Sequence, residues 1–307
     1  MGNTITCSDT TIGADTMFYQ ENSFIGYSHI QHLTSKTDRF NKEVANFIIS
    51  STRVATSNNK YDYGNKFNRN EMRNTKIQLP TEDGKIDFDF IERFTAQLEQ
   101  GYMQKLDAYL TVTGLKDYHL TDKEKEILGQ FERWEWVEFN LKALFEIATG
   151  RDVIIRDTQK GNIPLISHQH ESNGVSTKIA RLPNRRLFNC RDTLSVADRG
   201  VFLATTQNED FHIGTRVKAL TFKNGEKSVE IRQFIVACIN KLQVLFLDYA
   251  SNATDNLPNL KIQLPTLNNQ PDYATMQTFI SAVQKLVIKD VVLYAERKLD
   301  ATRSVIN

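Results

Sequence analysis

Three groupings in the chain carry residue types that could do chemistry. Pro271-Asp272 followed by Glu296-Arg297-Lys298 has the composition of a PD…ExK nuclease centre, in which carboxylates would hold magnesium. One continuous helix is expected across these residues, which sets Asp272 and Glu296 about 36 Å apart, too far to share a metal ion. His29-Ile30-Gln31-His32 and His168-Gln169-His170 offer imidazoles. No Cys or carboxylate cluster of zinc spacing joins either pair, so exposed or hydrogen-bonding histidines are expected. The third grouping is the loop from Asn58 to Arg69, where Lys60, Asn65, Lys66 and Arg69 stand beside Tyr61 and Tyr63. Cations interleaved with aromatics suit contact with a nucleic acid; the same composition suits a turn-rich surface loop.

The elements that must position these groups follow from an internal repeat. Lys76-Ile77-Gln78-Leu79-Pro80-Thr81 recurs as Lys261-Ile262-Gln263-Leu264-Pro265-Thr266. Each copy leads through a polar turn to an aspartate and a long helical pattern. The repeat extends backwards: Asn3-Thr4-Ile5-Thr6 with Asp9 matches Asp192-Thr193-Leu194-Ser195 with Asp198. Phe24-Ile25-Gly26 matches His212-Ile213-Gly214, Phe47-Ile48 matches Phe234-Ile235, and Tyr61 to Gly64 resembles Leu247 to Ala250. A period this long is a domain duplication, not a solenoid.

Short β-prone runs are expected at Thr4 to Cys7, Phe18-Tyr19, Phe24-Ile25, Asn162 to Ser167 and Asp192 to Val196, and helices from Asn41 to Arg53 and Ile231 to Phe246. Thr121-Asp122-Lys123-Glu124 is a capping box opening a short helix. Asp87 is placed to cap a helix whose seam is Ile91, Phe94, Leu98, Tyr102 and Leu106. From Asp272 the second seam is Met276, Ile280, Val283, Val287 and Val291. Each helix is expected to run about 25 residues. The two seams are expected to face each other as an antiparallel pair; the alternative is that each helix covers its own domain.

The 307 residues suit about two domains. No apolar run is long enough to span a membrane, the first residues lack the regions of a signal peptide, and three scattered cysteines indicate neither a disulfide framework nor a zinc ribbon. A cytoplasmic protein is expected. Charge is uneven: residues 81–149 carry a net −7 and residues 150–265 a net +5. The basic globular part leans towards a polyanion, although ordinary surface charge would give the same balance.

Two globular domains, each followed by a long helix, resemble the specificity (S) subunits of type I restriction–modification systems, and also the S-type subunits of type IIB and IIG systems. Phe139-Asn140-Leu141-Lys142-Ala143-Leu144-Phe145-Glu146-Ile147-Ala148-Thr149-Gly150 and then Gly161 to Ser167 look like that family's entry into a target-recognition domain. Ser195 to Gly200 resembles its mid-domain strand and turn, and the Ile-Gln-Leu-Pro element its exit. The resemblance implies an α+β fold: a first recognition domain over 1–80, a spacer helix over 86–114, a connector over 115–135, a second recognition domain over 136–266 and a second spacer helix over 272–303. By the internal alignment, the first domain starts at the equivalent of about residue 190 and lacks a counterpart of roughly fifty residues. It is then non-functional, completed by another chain, or part of a longer fusion; the sequence leaves all three open.

The resemblance implies a non-catalytic protein without a cofactor, partnered by double-stranded DNA, by DNA methyltransferase (modification) subunits docked on the helices, and by a restriction subunit where the system cleaves. The absence of Pro-Pro, Gly-x-Gly and Walker A motifs agrees. Base or phosphate contacts are then expected from His168, Gln169, Arg181, Asn184, Arg185, Arg186, Arg191, Arg199 and Arg216, because Arg pairs bidentately with guanine and Asn or Gln with adenine. Arg199 has a rival role as partner of Asp198. In the first domain Lys60, Asn65, Lys66 and Arg69 are the candidates. The alternative function is a regulatory or decoy protein that binds methyltransferase through the helices without reading DNA.

Overall fold

The computed structural model describes residues 2–10, 13–57, 61–62, 64–200, 202–246 and 253–306. Lys60, Tyr63 and the repeat match at Leu247 to Ala250 lie outside the described residues. The fold is α+β and divides into two units, residues 1–116 with 291–307, and residues 117–290. No helix among the described residues is long and apolar enough to cross a membrane.

The first unit opens with β1 (Thr4–Ser8), β2 (Phe18–Gln20) and β3 (Ile30–Leu33), an antiparallel sheet with β1 central. α1 (Lys42–Thr56) starts where the Asn41 side chain accepts the Val44 amide at 3.0 Å. Ile5, Cys7, Ala45 and Ile49 close a small core between α1 and this sheet, together with Tyr61 and Phe67. After α2 (Arg69–Asn74) come β4 (Thr81–Glu82), β5 (Lys85–Ile86) and α3 (Phe88–Val112).

The second unit begins with α4 (Asp122–Gln130), opened by the expected capping box. There follow β6 (Trp136–Asn140), α5 (Leu141–Leu144), β7 (Phe145–Thr149), β8 (Lys160–Ile166) and β9 (Val175–Ile179). Then come β10 (Thr193–Asp198), β11 (Phe202–Thr206), β12 (His212–Ile213), β13 (Val217–Phe222) and α6 (Val229–Asn240), and finally β14 (Lys261–Leu267), β15 (Gln270–Pro271) and α7 (Tyr273–Ile306). The sheet β11-β10-β13-β7 packs on α6 around Leu194, Val196, Leu220, Phe234 and Ile235. A second sheet, β12-β8-β9, carries the loops of the site described below.

The duplication is visible in backbone detail. β1 pairs β2 and β3 as β10 pairs β11 and β13, with Ile5 opposite Leu33 and Leu194 opposite Leu220. The turn β4–β5 holds Asp83 and Gly84 at φ 48° and 76°, and β14–β15 holds Asn268 and Asn269 at 53° and 60°. Two successive left-handed residues are what a tight two-residue hairpin turn requires, and Gly, Asn and Asp tolerate that conformation best. Beyond each turn an aspartate gives its amide to the repeat proline, Asp87 to Pro80 at 3.0 Å and Asp272 to Pro265 at 2.9 Å.

Several expectations change. Phe24-Ile25 is not a strand; its counterpart β12 pairs parallel with β8, and among the described residues of the first unit no strand corresponds to β8. α6 stops at Asn240 and tightens into a 3-10 turn through Leu245. α7 runs 34 residues rather than about 25. The helix seams also shift. On α3 the less exposed positions are Ile91, Thr95, Glu99, Met103, Leu106 and Leu110, whereas Phe94, Leu98 and Tyr102 are 44, 49 and 60% exposed. Phe94 instead meets the edge of Phe47 on α1, and Glu99 accepts an ion pair from Lys298 on the last turns of α7 at 2.7 Å. Met276 and Ile280 pack into the second unit's own core, Val283 is half-buried, and Val287 and Val291 are exposed. For Met276 and Ile280 the alternative reading, a helix covering its own domain, describes the packing.

Candidate nucleic-acid interface

An acid stands at the end of the central strand of each unit, Asp198 as the last residue of β10 and Asp9 just after β1. Asp198, at the end of β10, is buried and lies 3.5 Å from the ammonium of Lys218 on β13, itself buried. Lys218 also donates to the Thr149 hydroxyl at 3.0 Å, so the pair ties three strands together. The partner of Asp198 is therefore Lys218 and not Arg199, which points outward on the β10–β11 turn. Two buried opposite charges compensate each other's lost hydration, which an exposed arginine could not do as well.

Above this pair, Gly150 and Gly214 approach so closely that a Cβ on Gly150 would stand 1.9 Å from the Gly214 carbonyl oxygen. Gly150 also lines a cavity of 290 Å³, together with Ala148, Thr149, Arg151, Asn184, Arg185, Arg186, Phe188 and Ile213. His212, buried in β12, holds the 182–186 loop over it. Its Nε2 accepts the Leu182 amide at 3.2 Å, which leaves Nδ1 to carry the proton donated to the Arg186 carbonyl at 2.8 Å. Arg185 donates to the carbonyls of Asn184 and Asp152 at 3.1 and 3.2 Å, and the Arg186 guanidinium lies 4.8 Å from the Phe188 ring centroid. Three arginines thus line a cavity whose lining includes no carboxylate, a composition that attracts an anion such as a phosphate and offers flat hydrogen-bond donors for a base edge.

The remaining predicted residues of this unit scatter. Arg181 is exposed on the same loop. Arg216 is half-buried at φ 60°, and its carbonyl accepts the Asp198 amide at 3.1 Å. Arg191 lies 3.8 Å from Glu226 in a different cavity shared with Glu209 and Asp210, whose charges oppose phosphate. The Gln169 amide nitrogen is spent on the Val175 and Glu171 carbonyls at 2.8 and 3.3 Å, so it staples its own turn. His168 is half-buried, and its Nδ1 has no hydrogen-bond partner.

In the first unit the corresponding acid is Asp9. Gln31, the β3 counterpart of Lys218, donates to it at 2.6 Å, and His29 Nδ1 lies 3.1 Å from its other oxygen. Arg69 extends this chain by donating to Gln31 at 2.9 Å. Asn65 gives its amide to the Asp62 side chain at 2.7 Å, closing a turn, and Lys66 is half-buried beside it. Tyr61 is no surface platform: it is buried, with its ring 5.1 Å from Phe67. Among the described residues no three metal-ligating side chains cluster. Asp272 caps α7 through Thr275, and Lys298 is paired with Glu99, so both halves of the nuclease-like pattern have structural work.

Sequence reasoning missed Arg151, His212, Phe188 and the Asp198–Lys218 pair. Asp9 and Asp198 were already aligned in the repeat, and that retained acid was the available signal; His212 and Phe188 gave none, because their roles depend on a loop folding back.

The family model for the type I restriction modification DNA specificity domain matches residues 1–108 and 134–292. The specificity subunit S.BcgI of a type II restriction enzyme from Heyndrickxia coagulans is 24% identical over 293 residues, covering 91% of this chain and 78% of that protein. The crystal structure of a type I restriction–modification S subunit from M. genitalium superimposes with a TM-score of 0.58 over 99% of this chain and 81% of that one. At 12% identity that likeness is one of fold.

Proposed function

This chain belongs to the family of type I restriction modification DNA specificity domains, and on that premise we propose that it is the DNA-reading, non-catalytic subunit of a cytoplasmic restriction–modification system. Each unit reads one half of a bipartite duplex target, and methyltransferase subunits dock on the long helices. The observation that carries this reading is the cavity ringed by Arg151, Arg185 and Arg186 without a facing carboxylate. Guanidiniums fixed by carbonyls and by an aromatic face lose little freedom on binding, so they suit recognition better than solvated lysines would. Those that meet phosphates set the register on the duplex, and those that reach base edges select sequence. α3, at 25 residues, spans about 37 Å, close to one turn of B-DNA, which suits a spacer between two half-sites.

The test is co-purification with the methyltransferase encoded beside it, followed by mapping of methylated sites on random DNA. A bipartite motif with a fixed spacer supports the reading in full. Methylation of a single half-site restricts it to the second unit, and no complex overturns the role of the helices. The lack of a β8 counterpart among the described residues of the first unit favours a second reading, a decoy that binds methyltransferase without reading DNA. Unchanged DNA affinity and salt slope in the double variant Arg185→Ala, Arg186→Ala would select the decoy.

A further inference from the structure

In the second unit the groove between α6 and the start of α7 is covered by aromatic side chains that enter just before β6. Trp134 lies 5.1 Å from Phe279, Phe131 stacks on Phe279 at 5.1 Å, and Trp136 stacks on Phe234 at 6.3 Å. The chain then continues as β6, antiparallel to β14 from Trp136 opposite Pro265 to Asn140 opposite Lys261.

The first unit keeps the receiving half of this arrangement. Phe47 and Phe94 repeat Phe234 and Phe279, edge-on at 6.1 Å and 79° against 6.0 Å and 82°. Lys76 to Pro80 has the sequence of Lys261 to Pro265 and enters the same turn, yet among the described residues no strand pairs with it. The result is an open groove of 980 Å³ whose apolar wall is Phe47, Val54, Phe94, Leu98 and Tyr102.

Two further edges are bare for the same reason. β13 pairs with β7 on the side away from β10, whereas β3 has no described strand on its corresponding side. β12 pairs with β8, whereas Phe24-Ile25 is unpaired and Ile25 is 96% exposed. The three absent partners, β6, β7 and β8, are consecutive in the second unit, so one continuous segment accounts for all three vacancies.

We propose that the first unit is completed by a partner polypeptide outside these 307 residues. Its strand, bearing two aromatic side chains two positions apart, adds antiparallel to Lys76–Pro80 and seats those aromatics on Phe47 and Phe94. Backbone along Lys76–Leu79, which no described strand pairs, supplies the hydrogen bonds, and the aromatic groove supplies the register. The two halves of the chain are built alike, and completing the first in this way requires no contact with DNA.

The probe is a fluorescein-labelled synthetic peptide of residues 129–167 of this chain, added to the full-length protein. Saturable binding is expected by anisotropy, together with slowed amide exchange at Lys76–Leu79 and Ile30–Leu33. Leu98→Lys and Phe94→Ala in the protein, or Trp134→Ala with Trp136→Ala in the peptide, should each weaken binding by about tenfold or more. Phe94 and Leu98 are about half exposed, so both protein variants should keep the wild-type melting profile. No binding, or binding indifferent to these substitutions, overturns the proposal. So does a protein that is already dimeric with Lys76–Leu79 protected before peptide is added, because a second copy then fills the groove. The readout involves neither DNA nor methyltransferase, so its failure is distinguishable from failure of the specificity-subunit reading.

Discussion

His29 and Arg216 hold the same uncommon backbone in the two units. Both are left-handed, at φ 70° and 60°, and each gives its carbonyl to the amide of the aspartate ending the central strand, Asp9 at 2.9 Å and Asp198 at 3.1 Å. That conformation costs a residue with a side chain about 1 kcal/mol. Neither position is glycine, so both repeats carry the strain and with it a basic side chain beside the conserved geometry of the acid.

Replacing Arg216 by glycine should separate stability from function. Glycine enters the left-handed region without the steric cost, so Arg216→Gly is expected to stabilise the second unit by about 0.5–1 kcal/mol. If Arg216, which lies outside the arginine-lined cavity, meets a phosphate of its own, DNA affinity should fall at the same time, because that cation is lost. Urea unfolding and DNA titration on the same variant check both; unchanged affinity would leave Arg216 as a purely structural residue.

The Asp198–Lys218 pair predicts unequal effects from two substitutions of one residue. Lys218→Met leaves a buried carboxylate without its counter-charge and should cost about 3 kcal/mol. Lys218→Gln reproduces the Gln31–Asp9 contact of the first unit, at 2.6 Å there, and should cost clearly less. Chemical denaturation of the two variants decides the order.

If the arginine cavity meets DNA, Arg151→Ala and Arg186→Ala should each weaken binding by about 1–3 kcal/mol. A phosphate contact would show a uniform loss across sequences and a salt slope smaller by about one; a base contact would show relaxed preference at one position. Arg191→Ala, beside Glu226, should change binding little. Titrations on target and scrambled duplexes at several salt concentrations distinguish these outcomes.

Glu124 makes the second unit acid-sensitive. Burial by itself disfavours its ionised form, but hydrogen bonds from the Thr121 amide, the Ser281 hydroxyl, Lys285 and the Thr121 hydroxyl outweigh that and bring its pKa down to about 2. A lowered folded-state pKa gives stability that is complete above the ordinary value of 4.5 and is lost as pH falls towards 2. Glu124→Gln should therefore be less stable than the wild type by on the order of 2 kcal/mol at neutral pH, with the gap closing between those two values. Thermal melts across that range test the sign: a gap that widens on acidification would contradict it.

The sequence by itself determined the duplication, the caps and the family. The hexapeptide repeat, Asp87, Asp272 and the Thr121–Glu124 box act through a few neighbouring residues, and local hydrogen bonding reads the same in one dimension as in three. Tertiary structure decided which faces are buried. Phe94 and Leu98 have the spacing of a seam, yet Glu99 is the residue that pairs with Lys298, and Met276 is buried in its own domain. Helical periodicity marks an apolar stripe without saying what covers it. The same holds for the site: Arg151, Arg185 and Arg186 gather because His212 pins a loop between distant segments, whereas Arg191 is drawn to Glu226. A strand needs its partner to exist, so Phe24-Ile25 stays unpaired where His212-Ile213, with β8 beside it, does not.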